Sequence, residues 1–182
     1  MQIVLASLLT ALSIFVIGTH ALVGKNHFKS KKMPAGANLV SGAVLTTLVV
    51  FLLLLWTNNS PIPALLVALV LEGLSLWMFH RTAAASREGA LHFAFDVENP
   101  VSLVTAGPYR YVRHPFYTSY LIFWTGLAIG TWSLWAIPVL AVMATLYTVA
   151  ARGEEAKFAN SPMAADYAAY RARRGMFWPK LG

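Results

Sequence analysis

The chain of 182 residues is 58% hydrophobic and only 12% charged, with net charge +7 and a mean hydropathy of +0.61. Soluble domains carry about 25% charged residues, so this composition excludes an ordinary soluble domain and describes an integral membrane protein. There is no cysteine, which excludes disulfides, thiolate metal sites and cysteine nucleophiles.

The first apolar run, Ile3 to Val23, is long enough for a span. No positive segment precedes it, so it reads as a retained anchor with its N-terminus outside rather than a cleaved signal. A loop with Lys25, Lys29, Lys31 and Lys32 follows. A second span is predicted over Leu39 to Trp56, and the breaker-rich "TNNSPIP" turns the chain into a third over Ala64 to Phe79. Residues 80–114 form the longest polar stretch, with room for a short interfacial helix.

"FYTSYLIFWTGLAIG" and "LWAIPVLAVMATLYTVAA", joined by "TWS", then predict a short helical hairpin. Its first arm measures only ~22 Å as a helix, against a hydrocarbon core of ~30 Å. The tail from Arg152 is polar and helical, interrupted at Pro162. The predicted fold class is therefore all-α: a polytopic transmembrane protein of about five spans, including a short C-terminal hairpin, plus a cytosolic C-terminal helix. Continuous rather than alternating apolar runs argue against a transmembrane β-barrel. The length suits one domain over 1–182, with three spans in 1–80 and the hairpin and C-terminal segment in 100–182.

All 14 Lys and Arg fall in the first loop, the third loop and the tail. Five spans bring those segments to one face, which the positive-inside rule makes cytosolic. The basic excess then serves topology and lipid headgroups, not nucleic acid. A bacterial cytoplasmic membrane is the expected location. The histidines show no ligand spacing, so no metal is expected.

Two short stretches carry chemistry. "GPYRYVRHPFYTSY", Gly107 to Tyr120, crowds arginines, a histidine and tyrosines at the mouth of the fourth span. Pro115 suits a first helical turn, so Arg113 and His114 sit at a helix start, where anions are favoured. Interfacial anchoring is the alternative reading. "RGEE", Arg152 to Glu155, can cap a following helix or bind a cationic or hydroxyl-bearing ligand. The tight hairpin predicts residues 113–117 and 152–155 as neighbours, a basic cluster beside an acidic one. Glu72, inside the third span, is a functional candidate by position: it lines an acceptor pocket, pairs with a basic residue near the hairpin, or packs in hydrogen-bonded form.

"GPYRYVRHPFY", then "EE" after a hydrophobic hairpin, then "YAAYRARRGMFWP", resembles the isoprenylcysteine carboxyl methyltransferase and phospholipid methyltransferase superfamily over residues ~100 to 182. The resemblance implies a helical membrane enzyme that uses S-adenosylmethionine. It implies cofactor contacts from His114 and Tyr117 with the loop residues Tyr109, Arg113 and Pro115, and from Glu154 and Glu155, closed by Tyr167 and Tyr170. Glu72 and Arg173 are the candidates for an acceptor pocket, and the partners implied are membrane lipids and a lipophilic acceptor. Ser119 stands where the family motif often has glycine, and the segment after "EE" is longer than usual and contains Pro162. Sterol reductases share an "RHPxY" segment, which makes an NAD(P)H-dependent reductase the competing enzyme class. A non-catalytic binding protein on the same scaffold is the third reading.

Overall fold

The computed structural model describes residues 1–27, 35–87 and 102–180. The described residues form six α-helices: α1 (Gln2–His27), α2 (Ala35–Thr57), α3 (Ile62–Ala85), α4 (Pro115–Thr131), α5 (Ala136–Ala159) and α6 (Ala164–Arg173). No strand occurs among the described residues. Lys29, Lys31, Lys32 and residues 88–101 of the long polar stretch, His92 among them, lie outside them.

Proline and turn chemistry set the boundaries. Pro61 is the N-cap of α3, and Pro63 follows within its first turn, where a missing N–H costs least. Pro115 opens α4 in the same way. The α4–α5 turn is closed by Trp132 in the left-handed region, φ 49°. Between α5 and α6 the helix breaks at residues 160–163, around Pro162, as the tail composition predicts.

Among the described residues, four helical segments are long and apolar enough to cross a membrane: Gln2–Val23, Asn38–Thr57, Ile62–Ala85 and Ala136–Ala159. They include the first three predicted spans and the second arm of the hairpin. The first arm, α4, has 17 residues, ~25 Å of helix. It is nevertheless the centre of the bundle. α4 packs most extensively on α3 and also meets α5 and α2, while α1 packs on α3 and barely touches α2.

Small residues let α4 approach α3. A Cβ on Gly126 would stand 2.8 Å from Leu71 Cβ and 3.2 Å from the Ala68 carbonyl oxygen. Such close approach replaces the hydrophobic drive that helices lack in lipid. Ser119, at the position the family motif often gives to glycine, is fully buried in the same contact. Its hydroxyl folds back onto the Phe116 carbonyl at 2.7 Å, and its own carbonyl accepts from the Ser75 hydroxyl at 2.7 Å. Serine therefore fits the tight α3–α4 seam by keeping its polar atom on its own helix.

The core draws on α1, α2, α3, α4 and α5, with Leu9, Phe51, Leu65, Phe123, Trp124 and Leu127 fully enclosed. Outward-facing Leu53, Val70, Trp77 and Val142 present the apolar surface that a lipid environment requires.

Candidate functional site

The site begins where the third loop returns to the bundle. Gly107 (φ +55°) opens a 3₁₀ turn over Gly107–Arg110, and a Cβ there would stand 2.6 Å from Ala85 Cβ. The turn is thus seated against the end of α3. It delivers a buried Tyr109, whose phenol burial holds well above its usual value. His114 is the N-cap of α4, and its carbonyl takes the first helical bond from Thr118 N at 2.9 Å. Its side chain caps nothing and turns instead toward α5.

There it meets both glutamates. His114 Nε2 lies 3.0 Å from Glu155 Oε1, and Nδ1 lies 3.2 Å from Glu154 Oε2. A neutral imidazole offers one donor and one acceptor; two carboxylate oxygens facing the two nitrogens favour the doubly protonated ring. Burial pulls the His114 pKa down, but hydrogen bonds and charge from Glu154 and Glu155 outweigh it, and the net shift is upward from 6.5. Arg113 Nε donates to Glu155 Oε1 at 2.8 Å, and Arg171 Nε approaches Glu155 Oε2 at 3.6 Å. The Tyr117 hydroxyl donates to Glu154 Oε1 at 2.8 Å. The expected neighbourhood of residues 113–117 and 152–155 is thus present. α5 runs unbroken through the two glutamates, so they cap no new helix.

The C-terminal segment is stitched onto the same loop. Arg113 N donates to the Gly175 carbonyl at 2.9 Å and His114 N to the Met176 carbonyl at 3.1 Å. The Thr118 hydroxyl reaches the Phe177 carbonyl at 2.9 Å, and Arg113 Nη1 reaches the Arg174 carbonyl. Tyr170 shares its hydroxyl proton between the carbonyls of Tyr109 (2.7 Å) and Val112 (3.2 Å), and burial raises its pKa to about 12. Tyr167 stacks on Phe158 at 4.6 Å, and its buried hydroxyl has no hydrogen-bond partner.

Two residues named from sequence stand elsewhere. Glu72 is fully buried in the α1–α3 interface, where the Ser13 hydroxyl donates to its Oε1 at 2.6 Å and Oε2 has no partner. It pairs with a serine, not with a basic residue near the hairpin. Arg173 is exposed on α6; Arg171 is the one that faces Glu155.

Sequence reasoning missed the aromatic layer beneath the cluster. Tyr147 stacks on Tyr117 at 5.5 Å and lies 5.5 Å from Tyr120, which in turn lies 4.9 Å from His20. His20, near the end of the first span, is buried. The signals were present as spacing: Tyr147 precedes Glu154 by two helical turns, and Leu9, Ser13, Val16 and His20 form one buried stripe of α1.

The fold and site define a helical membrane protein with an acid–base cluster held at one end of its bundle. A family model described as phospholipid methyltransferase matches residues 62–162, more than half of the chain. The chain belongs to the phospholipid methyltransferase family. Membership implies methyltransferase activity and hence a methyl donor. The matched region runs from α3 to just before α6, so it contains Glu72, the "RHP" segment and both glutamates but not Tyr167 or Tyr170. No curated protein and no solved structure matches the chain.

Proposed function

We propose that the chain is a single-domain S-adenosylmethionine-dependent methyltransferase that acts on a lipophilic or amphipathic acceptor at the cytosolic face of a bacterial cytoplasmic membrane. The observation that carries the reading is the joining of His114, Tyr117, Glu154 and Glu155, inside the family-matched region and under the C-terminal segment.

The residues present fit that donor. Tyr167 keeps a buried hydroxyl unspent, and Glu154 is the more exposed of the two glutamates, its side chain 29% accessible against 6% for Glu155. When bound, S-adenosylmethionine supplies an electrophilic methyl group on a sulfonium. Glu154 suits the ammonium of its amino-acid portion and Tyr167 suits a hydroxyl or carboxylate oxygen, while His114, with both ring nitrogens on the glutamates, holds the two carboxylates in place. Arg113 has a different task. With Nε on Glu155 and Nη1 on the Arg174 carbonyl, it holds Glu155 and the C-terminal segment rather than an incoming anion. Catalysis then rests on orientation and on exclusion of water. A carboxylate acceptor needs no general base, whereas an amine or thiol gives its proton to water or to a nearby acid group.

Calorimetry of the detergent-purified protein with S-adenosylhomocysteine and with NADPH tests the reading. Binding of S-adenosylhomocysteine alone is expected, and His114→Ala or Glu155→Ala should weaken it about tenfold, the scale of a lost charged hydrogen bond. Binding of NADPH alone, or of neither, sinks it.

A further inference from the structure

Two turns inside Glu154, α5 carries a tyrosine whose hydrogen-bonding capacity is half spent. Tyr147 is 3% exposed, and its hydroxyl oxygen accepts from Trp124 Nε1 at 3.0 Å. An indole N–H only donates, so the direction of that bond is fixed and the tyrosine's own proton is still to be given. No described residue accepts it. Trp124, fully buried and stacked on Phe51, holds the oxygen in place. The same aromatic layer contains a second buried atom without a partner, His20 Nε2, on the far side of Tyr120. Tyr117 and Tyr120 are only half-buried, although the residues between and before them on α4 are buried, so the layer reaches the accessible surface at these two rings.

We propose that Tyr147 donates its hydroxyl proton to an ester carbonyl oxygen of a glycerolipid whose headgroup is directed toward Glu154. Calling that lipid the methyl acceptor rests on the methyltransferase reading; the lipid site itself does not. Depth argues for the ester. Seven residues of α5 separate Tyr147 from Glu154, about 10 Å of helix. The headgroup layer of one leaflet is about 5–8 Å thick, so a lipid with its polar tip at Glu154 carries its ester oxygens near Tyr147. Chemistry argues for an oxygen: a lone donor takes a carbonyl and rejects an ammonium. The lipid is then held by an atom that does not react, and its headgroup stays free.

The test uses full-length protein in detergent, incubated with vesicles of diester phosphatidylethanolamine and phosphatidylglycerol or with their diether counterparts. The protein is reisolated and its bound lipid is counted by mass spectrometry. Wild type is expected to retain the diester lipid about 5- to 10-fold better than Tyr147→Phe does, the scale of one lost hydrogen bond. It should hold the diether lipid no better than the variant holds either. Equal retention of diester lipid by the two proteins, equal retention of both lipids by wild type, or retention of neither overturns the proposal. If the variant fails to fold, the diester–diether comparison on wild type decides alone. S-adenosylhomocysteine calorimetry separates this site from the donor site. Unchanged affinity in Tyr147→Phe is expected, and its loss overturns the assignment of Tyr147 to lipid. A wild type that retains diester lipid but binds no S-adenosylhomocysteine removes the methyltransferase reading and leaves the lipid site standing.

Discussion

One imidazole ties the two carboxylates of α5 to the start of α4, and its charge state is the residue-scale property most open to experiment. The folded pKa of His114 lies above 6.5 because Glu154 and Glu155 both bond its ring and outweigh burial. A group whose pKa rises on folding contributes stability that is fully present below its unfolded value and lost as pH climbs through its folded value. Thermal midpoints in detergent should therefore fall as pH is raised from about 6.5. His114→Gln should start lower and lose that slope; a variant that keeps the full slope would place the titrating group elsewhere. Gly107 offers a second residue-scale test. A left-handed conformation costs a non-glycine residue about 1–2 kcal/mol, and here a methyl group would also stand 2.6 Å from Ala85 Cβ. Gly107→Ala should lower stability by at least about 1 kcal/mol, seen as a reduced melting midpoint. Gly153→Ala, with open space around its Cβ and helical backbone, should not.

At the scale of elements, the α4–α5 pair is built against its own dipoles. The start of a helix favours anions and the end favours cations, yet Arg113 and His114 precede α4 while Glu154 and Glu155 fall near the end of α5. Each placement is unfavourable alone, and each is relieved by the other across the antiparallel hairpin. An arrangement that stability alone would not select is the stronger sign of a functional site. Arg113 and Glu155 side chains are 7% and 6% exposed, and removing one partner of a buried pair costs about 3–5 kcal/mol. Arg113→Met and Glu155→Gln should each destabilise strongly, and the double variant by at least about 1 kcal/mol less than their sum; strict additivity in denaturation would mean the pair is uncoupled. Much of the hairpin was legible in the sequence. Its arms are continuous apolar runs, and a three-residue turn fixes which ends meet. The central place of α4 was not, because lipid and protein interior are equally apolar and hydropathy cannot tell a helix that faces one from a helix that faces the other. Nor was the use of Arg113 on backbone carbonyls of residues 171–174, since pairing across some 60 residues leaves no local pattern. Glu72 was visible as an intramembrane acid, but its partner Ser13 depends on how α1 and α3 are rotated.

For the whole molecule, charge and fold agree on one polar end. Arg81 lies near the end of α3, Arg113 before α4, Arg152 and Lys157 late in α5, and Arg171, Arg173 and Arg174 at the end of α6. The opposite turns, between α2 and α3 and between α4 and α5, contain no basic residue, and Trp132 and Trp135 are exposed at the second of them. Exposed tryptophans suit the headgroup boundary, and cationic ends suit the cytosol. The absence of cysteine makes this orientation directly measurable, because any introduced thiol is unique. Asn59, in the α2–α3 turn, and Ala168, on α6, are both exposed, so neither substitution disturbs packing. In intact cells an impermeant maleimide should label Asn59→Cys and leave Ala168→Cys untouched; after permeabilisation both should react. Labelling of Ala168→Cys from outside would invert the proposed topology and put the His114–glutamate cluster on the face away from cytosolic methyl donors. An equal reaction of both thiols in intact cells would put the α2–α3 turn and α6 on one face, which, with α3 crossing, requires that only one arm of the α4–α5 hairpin crosses.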